Sequence, residues 1–122
     1  RIVEVLAALL GAPSDRGRNA ECGAGPLAYA RWGDGLMVSF SDGAFAGWMV
    51  DGREAGAEHY TTMAGIGISS TRAEIDQVYV IDVEQTSLGT EFGAGDLYGL
   101  LSGPAPGDTV TNLWAGTTCI FR

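Results

Sequence analysis

The sequence contains no lysine, and all seven of its basic residues are arginines. They stand against fifteen Asp and Glu residues, which gives a formal net charge of -8 at pH 7. A surface of this charge repels phosphate backbones, so we do not expect nucleic-acid binding. The simplest interpretation of the acidity is that it keeps the protein soluble.

The sequence also lacks a run of 18 apolar residues, so no transmembrane segment is expected in this chain. It opens on Arg1 instead of methionine and leads directly into a helical pattern. We therefore expect a missing upstream segment that carried a signal peptide or a lipid anchor. The predicted location is extracellular, periplasmic or lipid-anchored in the envelope of a bacterium.

Catalytic residue types are scarce. His59 is the only histidine, and no G-x-S-x-G sequence or cysteine in catalytic surroundings supplies a nucleophile. One histidine and two distant cysteines do not form a zinc site by themselves. We therefore predict no catalytic residue, no metal site and no cofactor, and keep a small hydrolase-like enzyme around His59 as a minor alternative.

The two cysteines, Cys22 and Cys119, lie near opposite ends of the chain. An even count in an acidic domain that we expect to be exported favours a single disulfide between them. Two buried thiols are the alternative.

A chain of 122 residues is long enough for one core, so residues 1–122 are predicted to form a single domain. Apolar residues recur at helical spacing near the start, and Gly11 followed by Pro13 supplies the stop. The stripe predicts an amphipathic helix of about three turns that packs on a sheet. Its members are Ile2, Val5, Leu6, Leu9 and Leu10.

The stretch from Leu27 to Val50 is typical of three antiparallel strands joined by turns at 33–35 and 42–43. If both loops have an even residue count, the core face carries Leu27, Tyr29, Leu36, Val38, Phe40, Phe45, Gly47 and Met49. The opposite face then carries Ala28, Ala30, Trp32, Met37, Ser39, Ser41, Ala44, Ala46 and Trp48. Arg31 fits the core face poorly, so we expect it at a strand end in water.

The second half begins with a capping box, since Thr71 and Glu74 have the required spacing. It predicts a helix at 72–79, an extended segment at 80–84, and strands at 90–92, 97–101 and 109–114, with a continuation at 119–121. Residues 40–49 match residues 92–101 at an offset of 52 in an aromatic residue and two glycines. The predicted fold class is α+β: two helix-plus-antiparallel-hairpin repeats, about 1–52 and 61–122, form one antiparallel sheet with the helices on one face.

This plan, together with the stretch GIGISSTRAE at 65–74 and Tyr79, resembles small bacterial domains of the beta-lactamase-inhibitor-protein type and the related outer-membrane-assembly lipoproteins. In those families a G-I-x-x-G-x-[ST]-x-x-E entry leads into a helix and an antiparallel meander, and Ser69 stands where a glycine is usual. The inhibitor family clasps an enzyme with a concave sheet face. The resemblance thus implies protein binding and no chemistry.

The aromatic residues suggest where binding would occur. Trp32, Trp48, Met37 and Tyr98 are predicted to lie exposed on the sheet face opposite the core, and exposed aromatic patches usually mark a partner surface. The leading hypothesis is a non-enzymatic binding domain that uses this face on a protein partner. A structural or self-assembling envelope domain, using the same face against its own copies, is the alternative.

Overall fold

The computed structural model describes residues 2–19 and 25–118. The chain forms two helices, a short 3-10 helix and eight strands within these ranges. Their bounds are α1 Ile2–Leu10, β1 Asp15–Asn19, β2 Leu27–Arg31, β3 Leu36–Ser41, β4 Ala44–Asp51, the 3-10 helix Ala57–His59, α2 Arg72–Val78, β5 Asp82–Thr86, β6 Gly89–Ala94, β7 Leu97–Leu101 and β8 Val110–Gly116.

All eight strands belong to one antiparallel sheet, in the order β1-β2-β3-β4-β8-β7-β6-β5. Strands β1 to β4 form one meander and β5 to β8 form a second. The two meanders join where β4 pairs with β8. A mixed α+β fold with one antiparallel sheet agrees with the sequence-based expectation.

Both predicted helices are present. Helix α1 ends before Gly11, as predicted, but only Leu6 of its described side chains packs against the core, and Leu9 is 76% exposed. Helix α2 begins with the predicted capping box, in which Thr71 accepts from the Glu74 amide and Glu74 accepts from the Thr71 amide. Its Ile75 is fully buried.

Two turns need the left-handed backbone that the sequence suggested. Asp42 and Gly43, with φ of 51° and 80°, close the β3–β4 hairpin as predicted for a tight turn. Ser69 has a φ of 75°, a conformation that favours glycine.

The predicted faces are correct for β3 and wrong for β2. Directly paired residues of antiparallel strands share a face, and Ala30 pairs with Val38 while Arg31 pairs with Met37. Five residues, an odd number, lie between the paired Arg31 and Met37, so the parity of β2 is inverted. Leu27 and Tyr29 therefore lie opposite the core, and Ala28 and Ala30 lie on the core face.

Strand β4 is inverted over most of its length. Phe40 pairs with Phe45 beside the turn, as the even loop predicts, but the register shifts between Ser39 and Phe40. Beyond this bulge Val38 pairs with Trp48. One extra residue in a strand reverses every later side chain, so Trp48 joins the core face and Met49 leaves it.

The core lies between one face of the sheet and the segments that cover it. From the sheet it contains Ala30, Val38, Val50, Leu113 and Phe92, and from the covering segments Ala57, Ile66, Ile68 and Ile75. The other side of the sheet is called the distal face below.

Strand β1 was not predicted. Its sequence, DRGRN, lies within a stretch interpreted as loop, and it contains no apolar residue to reveal a period of two. It pairs with β2 at the sheet edge, where one strand neighbour is sufficient.

Candidate binding face

One row of paired residues crosses the distal face through all eight strands. Each member lies directly opposite the next in the ladder. The row is Asp15, Arg31, Met37, Met49, Trp114, Tyr98, Gly93 and Asp82. It starts with an arginine next to an edge carboxylate, continues through two methionines and two aromatic rings, and ends on an acidic edge strand.

Tyr98 and Trp114 form the aromatic centre of this row. Their ring centroids lie 6.3 Å apart and the ring planes are 19° from parallel. A Cβ at Gly93 would stand 3.3 Å from the Tyr98 ring, so the absence of a side chain at Gly93 allows the ring to pack closely over this position. Trp114 is only 4% exposed, whereas Tyr98 is 38% exposed and offers its ring to solvent.

The structure divides the four predicted binding residues into two pairs. Met37 and Tyr98 lie on the distal face. Trp32 and Trp48 pack against the core, so their predicted exposure is wrong because of the odd loop and the bulge described above, although Trp32 also lines the concavity at the arginine end of this face. Trp32 is 4% exposed within the core, and its Nε1 donates to the Gly11 carbonyl at 3.0 Å.

The parity argument therefore missed Met49 and Trp114. Met49 stands between Met37 and Trp114 in the row, and Trp114 follows Leu113 in a strand that had been recognised. Their alignment depends on the pairing of β4 with β8, which joins segments more than sixty residues apart. No local pattern in either strand reports that pairing.

A concavity of about 540 Å³ lies at the arginine end of the distal face. Three neighbouring members of the row line this concavity, together with Tyr29 and Ser39. The three are Arg31, Met37 and Met49. Three arginines line it, against one aspartate and one glutamate: Arg18, Arg31, Arg53, Asp51 and Glu54. In a chain of net charge -8, this is a locally basic site.

Asp51 and Arg53 satisfy each other at the edge of this concavity. The Arg53 Nε lies 3.1 Å from both carboxylate oxygens of Asp51, and Arg53 Nη2 lies 2.7 Å from Oδ2. These hydrogen bonds lower the pKa of Asp51 below its ordinary value, against the opposing effect of burial. Asp51 therefore remains ionised and committed to Arg53.

Arg31 is held differently. Its guanidinium carbon lies 5.3 Å from the Tyr29 ring centroid, and its Nη2 lies 3.7 Å from the Met37 sulfur. It is exposed at the end of β2, as predicted. The ion pairs recorded within residues 2–19 and 25–118 are Arg53–Asp51 and Arg72–Asp76, so Arg31 has no carboxylate partner there.

A hydrogen bond fastens the segment after the 3-10 helix to the β2–β3 turn. Tyr60 donates its hydroxyl to Asp34 Oδ2 at 2.6 Å. Burial first, and then this bond, raise the pKa of Tyr60 above its ordinary value of 10.0. Asp34 Oδ1 is buried without a hydrogen-bond partner among the described residues, so Tyr60 provides the only donor to this carboxylate there.

His59 lies exposed in the 3-10 helix. Within the described ranges no side chain hydrogen-bonds to its imidazole, and it does not line the distal-face concavity. The same residues contain no group of three His, Cys, Asp or Glu side chains arranged to hold a metal ion. They also contain no helix that is long and apolar enough to cross a bilayer.

Cys22 and Cys119 lie outside the described residues, so their disulfide stays a prediction. Comparisons with protein-family models, with curated proteins and with solved structures found no match for this chain. Arguments about function therefore depend on the geometry of the distal face.

Proposed function

We propose that this protein is a non-enzymatic binding domain that recognises a protein partner through its distal face. The observation that carries the proposal is the cross-strand row in which Arg31, two methionines, Trp114 and Tyr98 stand side by side. Aromatic, methionine and arginine side chains are enriched in the centres of protein interfaces.

The order of elements divides the chain into two similar parts. One helix and four strands are followed by a second helix and four strands. We propose that these parts are repeats and that both helices cover one face, because Leu6 and Ile75 pack against the same core. In the order of elements, the hairpin β3–β4 of the first part corresponds to β7–β8 of the second part. The sequence match at an offset of 52 residues instead aligns β3–β4 with β6–β7. The repeat is therefore proposed on the order of elements.

We also propose that the domain is exported by a bacterium, lies in the envelope or outside it, and contains the Cys22–Cys119 disulfide. Thr118, one residue before Cys119, lies against Ser39 on the distal face, with their hydroxyl oxygens 3.4 Å apart. Strand β2, which begins five residues after Cys22, is the direct neighbour of β3. The described segments nearest to the two cysteines, Thr118 and β2, thus both adjoin β3, which supports the proposed disulfide.

Capture from an extract of the source bacterium tests the binding proposal. Tyr98→Ala should weaken capture of a saturable partner by more than about 2 kcal/mol if this ring is a hot spot. Val80→Ala is the matched control, since Val80 is 96% exposed outside the strands. Trp48→Ala is unsuitable, because Trp48 packs against the core and its loss would weaken capture through unfolding. Equal capture by all variants would contradict the proposal.

A self-assembling envelope domain is the second candidate. The acidic end of the distal face, at Asp82 and Glu84 of β5, is complementary in sign to its arginine end, which favours contacts between copies. Light scattering at two concentrations separates the two functions. A monomer at every concentration would eliminate self-assembly.

A further inference from the structure

We propose that the distal-face concavity receives an acidic side chain of the protein partner, and that Arg31 is the residue that binds its carboxylate. This inference depends on the proposed function, since it names the chemistry of the partner at the same face. The chain contains about two acids for every arginine, yet Arg31 and Arg18, which both line this concavity, have no ion pair within the described residues. An unpaired guanidinium in such a chain needs a physical explanation.

Two of the neighbouring acids, Asp51 and Asp15, already have hydrogen-bond partners, and the charge of the third, Glu54, acts on Arg53. Asp51 binds Arg53 with both of its oxygens. Asp15, directly across from Arg31 in the ladder, accepts a hydrogen bond from the Tyr29 hydroxyl at 3.2 Å. Neither carboxylate forms an ion pair with Arg31, although the charge of Arg31 contributes, after the contacts of Arg53, to lowering the pKa of Asp51.

The contacts of Arg31 occupy only Nη2 among its donor nitrogens while restricting its motion. The Tyr29 ring and the Met37 sulfur hold the guanidinium through its face and one terminal nitrogen. Arginine has five N–H donors in a fixed fork that matches a carboxylate, and side-chain ordering is a major cost of binding. A guanidinium positioned in advance binds a carboxylate with less loss of entropy.

The rest of the row specifies the spacing of the partner's residues. Four strand steps separate Arg31 on β2 from Tyr98 on β7, in the order β2-β3-β4-β8-β7. At about 4.8 Å per step this distance is about 19 Å, which an extended peptide spans with about six residues. The partner segment is therefore expected to carry an acidic residue and, six positions later, an aromatic residue that packs on Tyr98.

The test uses a synthetic peptide of this spacing, acetyl-ETSTSTF-amide, and its glutamine counterpart, acetyl-QTSTSTF-amide. Binding is followed by NMR on the Arg31 Nε–H signal and on the methyl signals of Met37 and Met49. The glutamate peptide should bind at least about fivefold more tightly, since a charge-assisted hydrogen bond is lost with glutamine. Equal affinity of the two peptides, or no binding of either at millimolar concentration, would overturn the inference.

Variants assign the effect to Arg31. Arg31→Gln should remove the preference for glutamate, and Arg31→Lys should restore part of it, since lysine keeps the charge but lacks the fork. Arg16→Gln is the control, because Arg16 does not line the concavity and its charge acts on Glu4 of α1. If Arg16→Gln loses the preference for the glutamate peptide to the same extent, the effect is a general one of charge and the assignment is overturned. Dimerisation of the protein through Arg31 would also overturn the assignment.

The outcomes also separate this inference from the proposed function. If Tyr98→Ala weakens partner capture while the glutamate and glutamine peptides bind alike, the distal face is a binding surface without a carboxylate site at Arg31. If the peptides are distinguished through Arg31 while capture is unaffected by Tyr98→Ala, the carboxylate site stands and the aromatic end of the face is not used.

Discussion

Tyr98 covers Trp114 on the distal face, with their ring centroids 6.3 Å apart. Tyr98 is 38% exposed and Trp114 only 4% exposed, so the outer ring shields the inner one. Tyr98→Ala should therefore expose the Trp114 indole and lower the free energy of unfolding by about 1 kcal/mol. Acrylamide quenching of tryptophan fluorescence measures the exposure. Val80→Ala should leave quenching unchanged, and an equal increase in both variants would contradict the stacking.

Trp32 binds α1 to the sheet through its indole hydrogen bond to the Gly11 carbonyl. Trp32→Phe keeps most of the ring volume but removes this donor, so the free energy of unfolding should fall by at least about 1 kcal/mol. Trp48→Phe is the matched control, because the Trp48 indole donates no hydrogen bond within residues 2–19 and 25–118. Urea unfolding measures both, and a larger loss in Trp48→Phe would contradict the role assigned to Trp32.

Tyr60→Phe removes the hydroxyl that donates to Asp34, leaving a partly buried carboxylate without a described donor. The free energy of unfolding at pH 7 should fall by about 1.5–3 kcal/mol. Tyr79→Phe removes a hydroxyl bonded to the neutral Thr62 Oγ1 at 2.9 Å, so its loss should be smaller. Equal losses for the two variants would contradict the importance of the Tyr60–Asp34 pair.

The same tyrosine makes stability depend on alkaline pH. Because the pKa of Tyr60 is raised in the folded state, the native protein holds this proton more tightly than the unfolded chain. This stabilisation is fully present below the ordinary value of 10.0 and is lost as the pH rises above it. Unfolding at pH 9 and pH 11 should show a smaller decline for Tyr60→Phe than for the wild type, and an identical decline would count against the shift.

The predicted disulfide is tested by thiol titration of the unfolded, unreduced protein. No free thiol should be found if Cys22 and Cys119 are bridged. Bridging so distant a pair is expected to stabilise the fold by about 4–5 kcal/mol in the chain-entropy model. Two free thiols would end the disulfide proposal and weaken the case for export.

The sequence predicted the features that depend on local chemistry. The capping box at Thr71, the turn at Asp42 and the end of α1 before Gly11 each follow from neighbouring residues, and all three are present. The faces of β2 and β4 depend on loop parity and on one bulge, which no residue in the pattern marks. Trp32 and Trp48 were therefore assigned to the wrong side.

The candidate site was predictable only in part for the same reason. Met37 and Tyr98 belong to it, but the row that unites them passes through Met49 and Trp114 and requires the long-range pairing of β4 with β8. Such pairings are decided by the packing of the whole sheet. Arg31 has no ion pair because Asp51 and Asp15 bind other residues, and these contacts form only in the folded sheet.

Site-specific photo-crosslinking tests the central claim most directly, that the distal face binds a protein partner. A photoreactive amino acid is placed at Tyr98 in one variant and at Val80 in another, and each is irradiated in extract of the source organism. The account predicts one discrete cross-linked partner from position 98 and none from position 80. The same products from both positions, or a discrete partner from position 80 alone, would contradict it.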